Sequence, residues 1–267
     1  MNHPDEVPAI EVRDLVTHYG PRLILDRVNL EVRGGEVMII MGGSGSGKST
    51  LLRYLLGLHR PTSGSIRIMG QDITRISSAG MHRLRTSMGV AFQGGALFSS
   101  MTIGENVALP LREHTSLDEK TMGIMARMKL EVVNLGGFED LMPAQLSGGM
   151  LKRAALARAI IMDPKLLFFD EPSAGLDPVV AAELDDLILK LRDAMGMTIV
   201  VVTHELDSAF KIADRITVLD QGRILTTGTV AEVQGSGDTR IQDLLNRRAA
   251  HAEIDADAYL DRLAGDN

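Results

Sequence analysis

The 267-residue sequence contains no cysteine and no tryptophan, and aromatic residues make up only 3% of it. Without cysteine the chain can form no disulfide bond, no thiolate metal site and no cysteine nucleophile. Its longest apolar runs, such as residues 37–41 and 199–202, are far shorter than the ~20 residues that a helix needs to cross a bilayer. The sequence therefore predicts no membrane-spanning helix.

The amino-terminal residues also lack the pattern of a secretory signal. The first ten residues, MNHPDEVPAI, contain no basic region followed by an apolar stretch. We therefore expect a cytoplasmic protein, and the absence of cysteine is compatible with that location.

Basic residues are in the minority. The chain has 28 Lys and Arg against 35 Asp and Glu, a formal net charge of −7. A protein that binds the phosphate backbone of nucleic acids needs clustered positive charge, so nucleic acid is not an expected partner. The remaining composition, 45% hydrophobic and 24% charged, is that of a globular protein with one substantial core.

Hydrophobic periodicity predicts an α/β fold. Residues 10–32 alternate apolar and polar side chains around a turn at Gly20 and Pro21, which is typical of antiparallel strands. Two continuous apolar runs, 166–169 and 198–202, indicate parallel strands buried on both faces. The segment between these runs has helical spacing, so we expect a βαβ unit and a mostly parallel sheet.

Two other regions show clear spacing. Residues 216–228 form a strand–turn–strand pattern, and residues 105–162 have mostly helical spacing. We expect breaks in this helical block at Pro110, at residues 136–137 and at Pro143. The block is a candidate helical subdomain.

A glycine-rich stretch lies between a β-rich run at residues 36–41 and a helical pattern at residues 49–58, and it matches the phosphate-binding pattern G-x-x-x-x-G-K-[ST]. Glycines let the backbone curl so that successive N–H groups point at phosphate oxygens, and the following helix adds its positive end. We expect Lys48 to reach the β- and γ-phosphates and the Ser49 hydroxyl to bind Mg²⁺. The predicted nucleotide-binding residues of this stretch are Gly42, Gly43, Ser44, Gly45, Ser46, Gly47, Lys48, Ser49 and Thr50.

Two carboxylates follow the apolar run at 166–169. Asp170 is suited to hold Mg²⁺ through water and Glu171 to polarise the attacking water, as in other P-loop nucleotidases. A strand that ends in a solvated acidic turn would have the same pattern. His204 follows the next buried strand in the same way, and open α/β sheets bind ligands at the carboxyl ends of their strands. We therefore expect these three side chains to lie near Lys48, although a lone histidine is more often structural.

A second glycine-containing helix start distinguishes the chain from kinases and GTPases. Ser147 is a good helix N-cap, and Gly148 and Gly149 allow a close backbone approach, so this helix start can bind an anion. A capped helix without a ligand is the alternative. With residues 146–150 the chain resembles the ABC ATPase family, in which a signature LSGGQ contacts the γ-phosphate bound to the opposite subunit. Met150 replaces the usual glutamine here.

The resemblance covers about residues 7–235. It implies an ABC-type P-loop ATPase with a mostly parallel core sheet, an antiparallel β subdomain and a helical signature subdomain. We place the ATPase domain at residues 7–236, its helical subdomain at about 94–162, and a carboxyl-terminal extension at 237–267.

The resemblance also assigns roles to single residues. Tyr19 matches the aromatic residue that stacks on adenine, with a core or turn tyrosine as the alternative. Gln93 matches the glutamine that senses Mg²⁺ and the attacking water. Asp177 ends a stretch that matches the loop communicating across the dimer, and His204 matches the switch histidine. The implied catalytic set is Glu171, His204, Gln93 and Lys48, and the implied Mg²⁺ contacts are Ser49, Gln93 and, through water, Asp170.

One phosphate loop and one signature per chain imply a dimer. In the family these two elements meet at each nucleotide from opposite subunits, so two copies close face to face over two ATP molecules. Ser147, Gly148 and Gly149 would then contact the ATP of the partner. The closing cycle would drive an integral membrane permease that docks beside the Gln93 segment.

Three further stretches, residues 92–98, 109–115 and 128–131, resemble the ATPases of the Mla and Mce-type lipid transporters. This resemblance implies phospholipid transport between inner and outer membranes and a cytoplasmic location peripheral to the inner membrane. A small cytoplasmic accessory protein and a periplasmic Mce-type lipid-binding protein are further implied partners. Residues 170–178 follow the general ABC pattern, which indicates a more distant branch. The alternatives are an importer of small polar solutes or, less expected, a non-transport ABC ATPase.

Apolar residues recur in the carboxyl-terminal extension. They could form short amphipathic helices that contact the second subunit or an accessory protein, and a frayed, solvated tail is the alternative. The residues concerned are Ile241, Leu244, Leu245, Tyr259, Leu260 and Leu263.

Overall fold

The computed structural model describes residues 7–246. Its strands are β1 Ile10–Tyr19, β2 Arg22–Val32, β3 Val37–Met41, β4 Ser63–Ile68, β5 Gln71–Asp72, β6 Met88–Ala91, β7 Leu166–Asp170, β8 Thr198–Thr203, β9 Arg215–Asp220 and β10 Arg223–Gly228. Its helices are α1 Lys48–Leu55, α2 Ser78–Arg85, α3 Ile103–His114, α4 Glu119–Val132, α5 Gly148–Ala159, α6 Pro178–Met195, α7 Leu206–Ile212, α8 Val230–Gln234 and α9 Thr239–Leu245, with a short 3₁₀ turn at Pro143–Gln145.

Two sheets form the fold. The core sheet has the strand order β10-β9-β3-β8-β7-β6, and all of its neighbouring pairs are parallel except β9 with β10. The second sheet has the order β2-β1-β4-β5 and is antiparallel. The predicted α/β fold with a mostly parallel core sheet and an antiparallel β subdomain is confirmed.

The central strands are apolar throughout because both of their faces are covered. In β3, Val37, Ile39 and Met41 pack into a core that includes the helical subdomain. The alternate residues Met38 and Ile40 pack into a second core together with the antiparallel sheet and α1. The core sheet is therefore the middle layer of the molecule, and the edge formed by the carboxyl ends of its parallel strands remains available for a ligand.

The helical block at 105–162 folds as α3, α4 and α5. A capping box begins α3, in which the backbone N–H of Glu105 donates to Thr102 Oγ1 (3.2 Å) and that of Thr102 donates to Glu105 Oε2 (2.7 Å). The predicted break at Pro110 is wrong, because α3 continues through this residue to His114. Proline removes one backbone hydrogen bond from the helix. The cap and the burial of Val107 and Leu111 hold the helix together despite that loss.

Several elements are present that the sequence pattern does not predict, namely β5, β6, α2, α7 and α8. They are short, and β6, α2 and α8 each bury only one or two residues, which is too few to show a period. Within residues 7–246, no helix is both long and apolar enough to span a membrane.

The described part of the carboxyl-terminal extension lies against its own chain. Asp238 caps α9, whose Ile241 is buried in the core, while Leu244 and Leu245 pack on that core from outside. The remaining predicted contact residues Tyr259, Leu260 and Leu263 lie outside the described residues.

Candidate active site

Strand register brings the predicted site together. Met41 at the end of β3 pairs with Thr203 at the end of β8, and Asp170 at the end of β7 pairs with Val202. The segments that follow these three strands therefore leave the sheet at one edge and side by side. They are the glycine-rich loop, the Glu171 turn and the His204 segment.

The glycine-rich loop is closely packed on the turn between β9 and β10. A Cβ atom on Gly42 would lie 2.1 Å from the carbonyl oxygen of Leu219, so this position admits only glycine. The backbone N–H of Gly222 donates to the carbonyl of Ser46 at 2.9 Å. Gly47 has φ +108°, a left-handed conformation that starts α1 at Lys48 and that side chains other than glycine rarely adopt.

Lys48 is folded back on the loop that carries it. Its Nζ atom donates to the carbonyls of Gly42 (2.8 Å) and Gly43 (3.0 Å). Burial lowers the pKa of Lys48, while the negative charges of Glu171 and Asp170 act in the opposite direction. A phosphate group would replace these carbonyls as the partner of the ammonium and supply a full negative charge.

Glu171 is fixed at three points of the neighbouring strand end. Its Oε1 atom lies 2.9 Å from His204 Nδ1, and because a carboxylate only accepts, the ring nitrogen carries the proton. Its Oε2 atom accepts from Thr203 Oγ1 at 3.1 Å and from the backbone N–H of His204 at 3.3 Å. Glu171 also has φ +51°, a strained conformation for a residue other than glycine and one that is concentrated at functional sites. The carboxylate is therefore held in a defined orientation.

Asp170 is half-buried next to Glu171. Burial and the neighbouring Glu171 charge raise its pKa, and the charges of Arg53 and Lys48 oppose this. Its carboxylate and the exposed hydroxyl of Ser49 are hard oxygen donors of the kind that Mg²⁺ prefers. Among residues 7–246 no three His, Cys, Asp or Glu side chains cluster as a metal cage. The donors present suit an ion that takes its other ligands from phosphate and water, as Mg²⁺ does at nucleotides.

A cavity of about 790 Å³ lies over this edge of the sheet. This volume is within the range of small-molecule and cofactor sites. The glycine-rich loop from Gly42 to Gly45 lines it together with Lys48 and Ser49, and Glu171, His204 and Glu205 line it as well. Asp243 and Leu244 of α9 complete the lining, so the described part of the extension borders this chain's own cavity.

Several other predicted residues do not line this cavity. Tyr19, at the end of β1, and Gln93, after β6, are exposed and do not belong to its lining in the described part of the chain. Ser147 and Gly148 are exposed at the start of α5, where the Ser147 hydroxyl accepts from the backbone N–H of Met150 at 3.3 Å. Asp177 caps α6 by accepting from Val179 and Val180. One chain by itself therefore brings together the loop, the carboxylates and the histidine, but not the signature.

Three residues of the site are not identified by the sequence patterns. Thr203 orients Glu171, and Lys152 on α5 donates to the backbone after Glu171. Arg158, also on α5, donates to the carbonyls of Gly95 and Ala96 at 2.8 Å, just beyond Gln93. Of these three residues, only Thr203 could have been identified from the sequence, because it directly precedes His204. Lys152 and Arg158 have the spacing of ordinary helix residues, so only their contacts in the structure identify them.

A glycine-rich phosphate loop that faces a carboxylate pair at the carboxyl edge of a parallel sheet defines a P-loop nucleoside triphosphatase. The chain also matches the family model described as ABC transporter over residues 25–174. It therefore belongs to the ABC transporter family, as an ATP-binding and ATP-hydrolysing subunit. Cassettes of this family dimerise and pair with a membrane permease.

The relatives cover most of the chain. It is 43% identical over 236 residues to the intermembrane phospholipid transport system ATP-binding protein MlaF of Haemophilus influenzae, spanning 88% of this chain and 89% of that protein. Identity to the protein of the same name in Escherichia coli K12 is 42% over 237 residues, spanning 89% and 88%. The probable ribonucleotide transport ATP-binding protein mkl of Mycobacterium leprae is 41% identical over 240 residues, spanning 90% and 69%.

Solved structures agree with the fold. A dimeric ATP-binding cassette in a post-hydrolysis state with bound ADP and Pi has a TM-score of 0.76 at 31% identity, covering 83% of this chain and 98% of that one. The protein cbiO1 of Clostridium perfringens, part of the ABC transporter complex cbiONQ, has a TM-score of 0.79 at 31% identity, covering 91% and 96%.

Proposed function

We propose that two copies of this chain close over two ATP molecules and drive a permease that moves phospholipid between membranes. The ATPase part rests on one observation, the orientation of the Glu171 carboxylate by Thr203 and His204 in the cavity that Lys48 also lines. The phospholipid part rests on the identity of 43% and 42% to proteins named for phospholipid transport.

Most residues that line the cavity have a role in this mechanism. The loop from Gly42 to Thr50 holds the phosphates, and Lys48 exchanges its carbonyl partners for phosphate oxygens. Glu171 takes a proton from the attacking water, while His204 contacts the γ-phosphate. Ser49 and, through water, Asp170 would hold Mg²⁺ with Gln93, and that ion would neutralise charge on the phosphates.

The second subunit supplies the remaining contacts. Ser147 and the backbone N–H groups of Gly148 and Gly149 are exposed or half-buried in one chain, which leaves them accessible to the partner's γ-phosphate. Donors placed in advance stabilise the charge that spreads over the transferring group. Asp177 communicates across the same interface, and Tyr19 stacks on the adenine.

The transported substrate can be tested directly. The chain is purified with its permease, reconstituted in liposomes, and assayed for ATP-dependent transfer of a fluorescent phospholipid to acceptor vesicles. Transfer that requires ATP and disappears in the Glu171→Gln variant would support the proposal. ATP-dependent uptake of a labelled ribonucleotide without phospholipid transfer would contradict it, and the mycobacterial relative makes this the informative competitor.

The same preparation tests the assembly. We expect the chain to fractionate with the inner membrane only when the permease is present, and to co-purify with a small cytoplasmic protein and a periplasmic Mce-type protein. Co-purification with ribosomes or DNA in place of a permease would favour a non-transport ABC ATPase.

A further inference from the structure

The signature helix α5 is joined to the catalytic turn of its own subunit by one lysine. Lys152 lies in the second turn of α5, and its Nζ atom donates to the carbonyls of Pro172 (2.6 Å) and Ala174 (2.5 Å). The carbonyl of Glu171 lies 3.4 Å from the same atom. An ammonium group has three N–H donors, so the three carbonyls use all of them.

These carbonyls belong to a turn that determines where the Glu171 side chain is held. The turn is closed by hydrogen bonds from Ala174 N to Glu171 O (3.3 Å) and from Leu176 N to Ser173 O (3.1 Å). On its other side, the backbone N–H of Glu171 donates to the carbonyl oxygen of Val202 in β8 at 2.8 Å. The strained backbone of Glu171 is therefore held between β8 and Lys152.

The position of Lys152 is costly for a cation. Burial lowers its pKa, and the charge of Glu171 acts in the opposite direction. Removing an ammonium from water is unfavourable unless strong partners replace the water. An apolar side chain could fill the same space without this cost, so the ammonium has a purpose other than packing.

We propose that Lys152 is a positioning residue, which couples the signature helix to the Glu171 turn of the same subunit. When the start of α5 closes on the ATP of the partner, Lys152 transmits the movement to Glu171, which acts on this subunit's own ATP. The two nucleotide sites of the dimer are thereby linked within each chain. This inference rests on the proposed function, because it requires Glu171 as the base and Ser147 as a contact in trans.

Mixed dimers separate this role from the alternatives. Two full-length chains with different affinity tags are co-expressed with the permease, and complexes are purified on both tags in sequence. In the first complex one subunit carries Lys152→Met and the other Glu171→Gln, so the only intact Glu171 lies beside the altered lysine. In the second complex one subunit carries both changes, so the intact Glu171 lies in the unaltered subunit. The reference complex carries Glu171→Gln in one subunit only.

We expect the first complex to lose about 10- to 100-fold in kcat relative to the reference, because small misplacements of a catalytic group cost rates of this order. The second complex should stay within about twofold of the reference, since its intact Glu171 keeps its lysine. Equal losses in both complexes, a loss in the second alone, or no loss in either would overturn the proposal.

The homodimers provide a second readout that does not depend on mixing. In Lys152→Met, kcat should fall while the KM for ATP and the thermal unfolding midpoint remain those of the wild type, and Lys152→Arg should restore part of kcat because it keeps the charge and the donors. An increased KM without a change in kcat, or no recovery with arginine, would contradict a positioning role. Lys190→Met, an exposed lysine of α6, is the matched control and should change nothing.

The Glu171→Gln homodimer tests the proposed function separately. If this homodimer is as active as the wild type, Glu171 is not the base, whatever the effect of Lys152. If the reference complex is inactive because both sites must work together, the homodimer values of kcat and KM for the Lys152 variants decide on Lys152.

Discussion

His204 Nδ1 lies 2.9 Å from Glu171 Oε1, so the side chains that follow two neighbouring strands are already hydrogen-bonded to each other in the single chain. The same His204 ring has its Nε2 atom 3.5 Å from Glu205 Oε1. A γ-phosphate that contacts this ring would compete with the Glu171 carboxylate for its N–H donor. The orientation of Glu171 in the presence of ATP therefore depends on which of the two, carboxylate or phosphate, accepts from His204.

Removal of the Glu171 charge should separate binding from hydrolysis. Glu171→Gln keeps the shape of the side chain but cannot accept the proton of the attacking water, so we expect kcat to fall about 10²- to 10⁴-fold with ATP affinity retained. Size-exclusion chromatography with ATP should show an accumulated dimer. Wild-type turnover in this variant would show that another group is the base.

Thr203 should affect the rate through Glu171. Its side chain is buried, and its hydroxyl donates to Glu171 Oε2 at 3.1 Å. Thr203→Val removes this hydroxyl at nearly constant volume, and we expect kcat to fall about tenfold with unchanged ATP affinity, since one neutral-to-charged hydrogen bond contributes roughly 1.5–3 kcal/mol. Thr217→Val is the control, because the buried hydroxyl of Thr217 bonds to Thr227 on the neighbouring strand. A similar loss of rate in both variants would mean that Thr203 acts only through stability.

Loss of the Lys48 ammonium should weaken nucleotide binding. In Lys48→Ala the phosphates lose a charged donor worth about 1.5–3 kcal/mol, which corresponds to roughly a 10- to 100-fold rise in the Kd for ATP. Titration with a fluorescent ATP analogue measures this change, and Lys190→Ala should bind as the wild type does. Unchanged affinity together with unchanged ATPase activity would refute the assigned role.

Two glycines should respond in opposite directions to alanine. In Gly42→Ala the new Cβ atom would lie 2.1 Å from the carbonyl oxygen of Leu219, so we expect a loss of about 1–3 kcal/mol in the free energy of unfolding. In Gly123→Ala, within α4, the new Cβ atom meets nothing within 4 Å, and alanine should add roughly 0.5–1 kcal/mol. Urea denaturation measures both, and a stable Gly42→Ala variant would contradict the close packing of the loop on β9.

Asp185 should make stability depend on pH. Asp185 is a buried residue of α6 that lines a cavity of about 240 Å³ beside α7. Burial raises its pKa, while a hydrogen bond from Ser208 and the charge of Lys211 oppose the rise. The folded state therefore holds this proton more tightly than the unfolded state, and stability from this group falls as pH rises from about 4 through the folded pKa. The free energy of unfolding of Asp185→Asn should increase relative to the wild type over that interval.

Asp118→Asn is a control for which we expect the opposite dependence of stability on pH. Hydrogen bonds from Thr121 lower the pKa of Asp118 at the start of α4, so its contribution is present above about pH 4 and is lost as pH falls through the folded pKa. Urea denaturation from pH 3 to pH 7 covers both intervals. A pH-independent difference between wild type and Asp185→Asn would show that Asp185 does not titrate differently in the two states.

Local patterns predict much of this protein. Continuous apolar runs identify β7 and β8, and the glycine pattern identifies the phosphate loop, because side-chain period and backbone freedom are properties of the sequence itself. The predicted break at Pro110 is wrong because the cap and the buried face of α3 outweigh the cost of one proline.

The sequence by itself determined that β3, β7 and β8 become buried strands and which residues follow them, and these residues include the phosphate loop, Glu171 and His204. Only the tertiary structure decided that Thr203 and His204 hold Glu171, that Lys152 holds the turn behind it, and that the signature does not line the cavity of its own chain. The physical reason is that hydrogen bonds between residues distant in sequence depend on strand register and helix packing, which leave no period in the sequence.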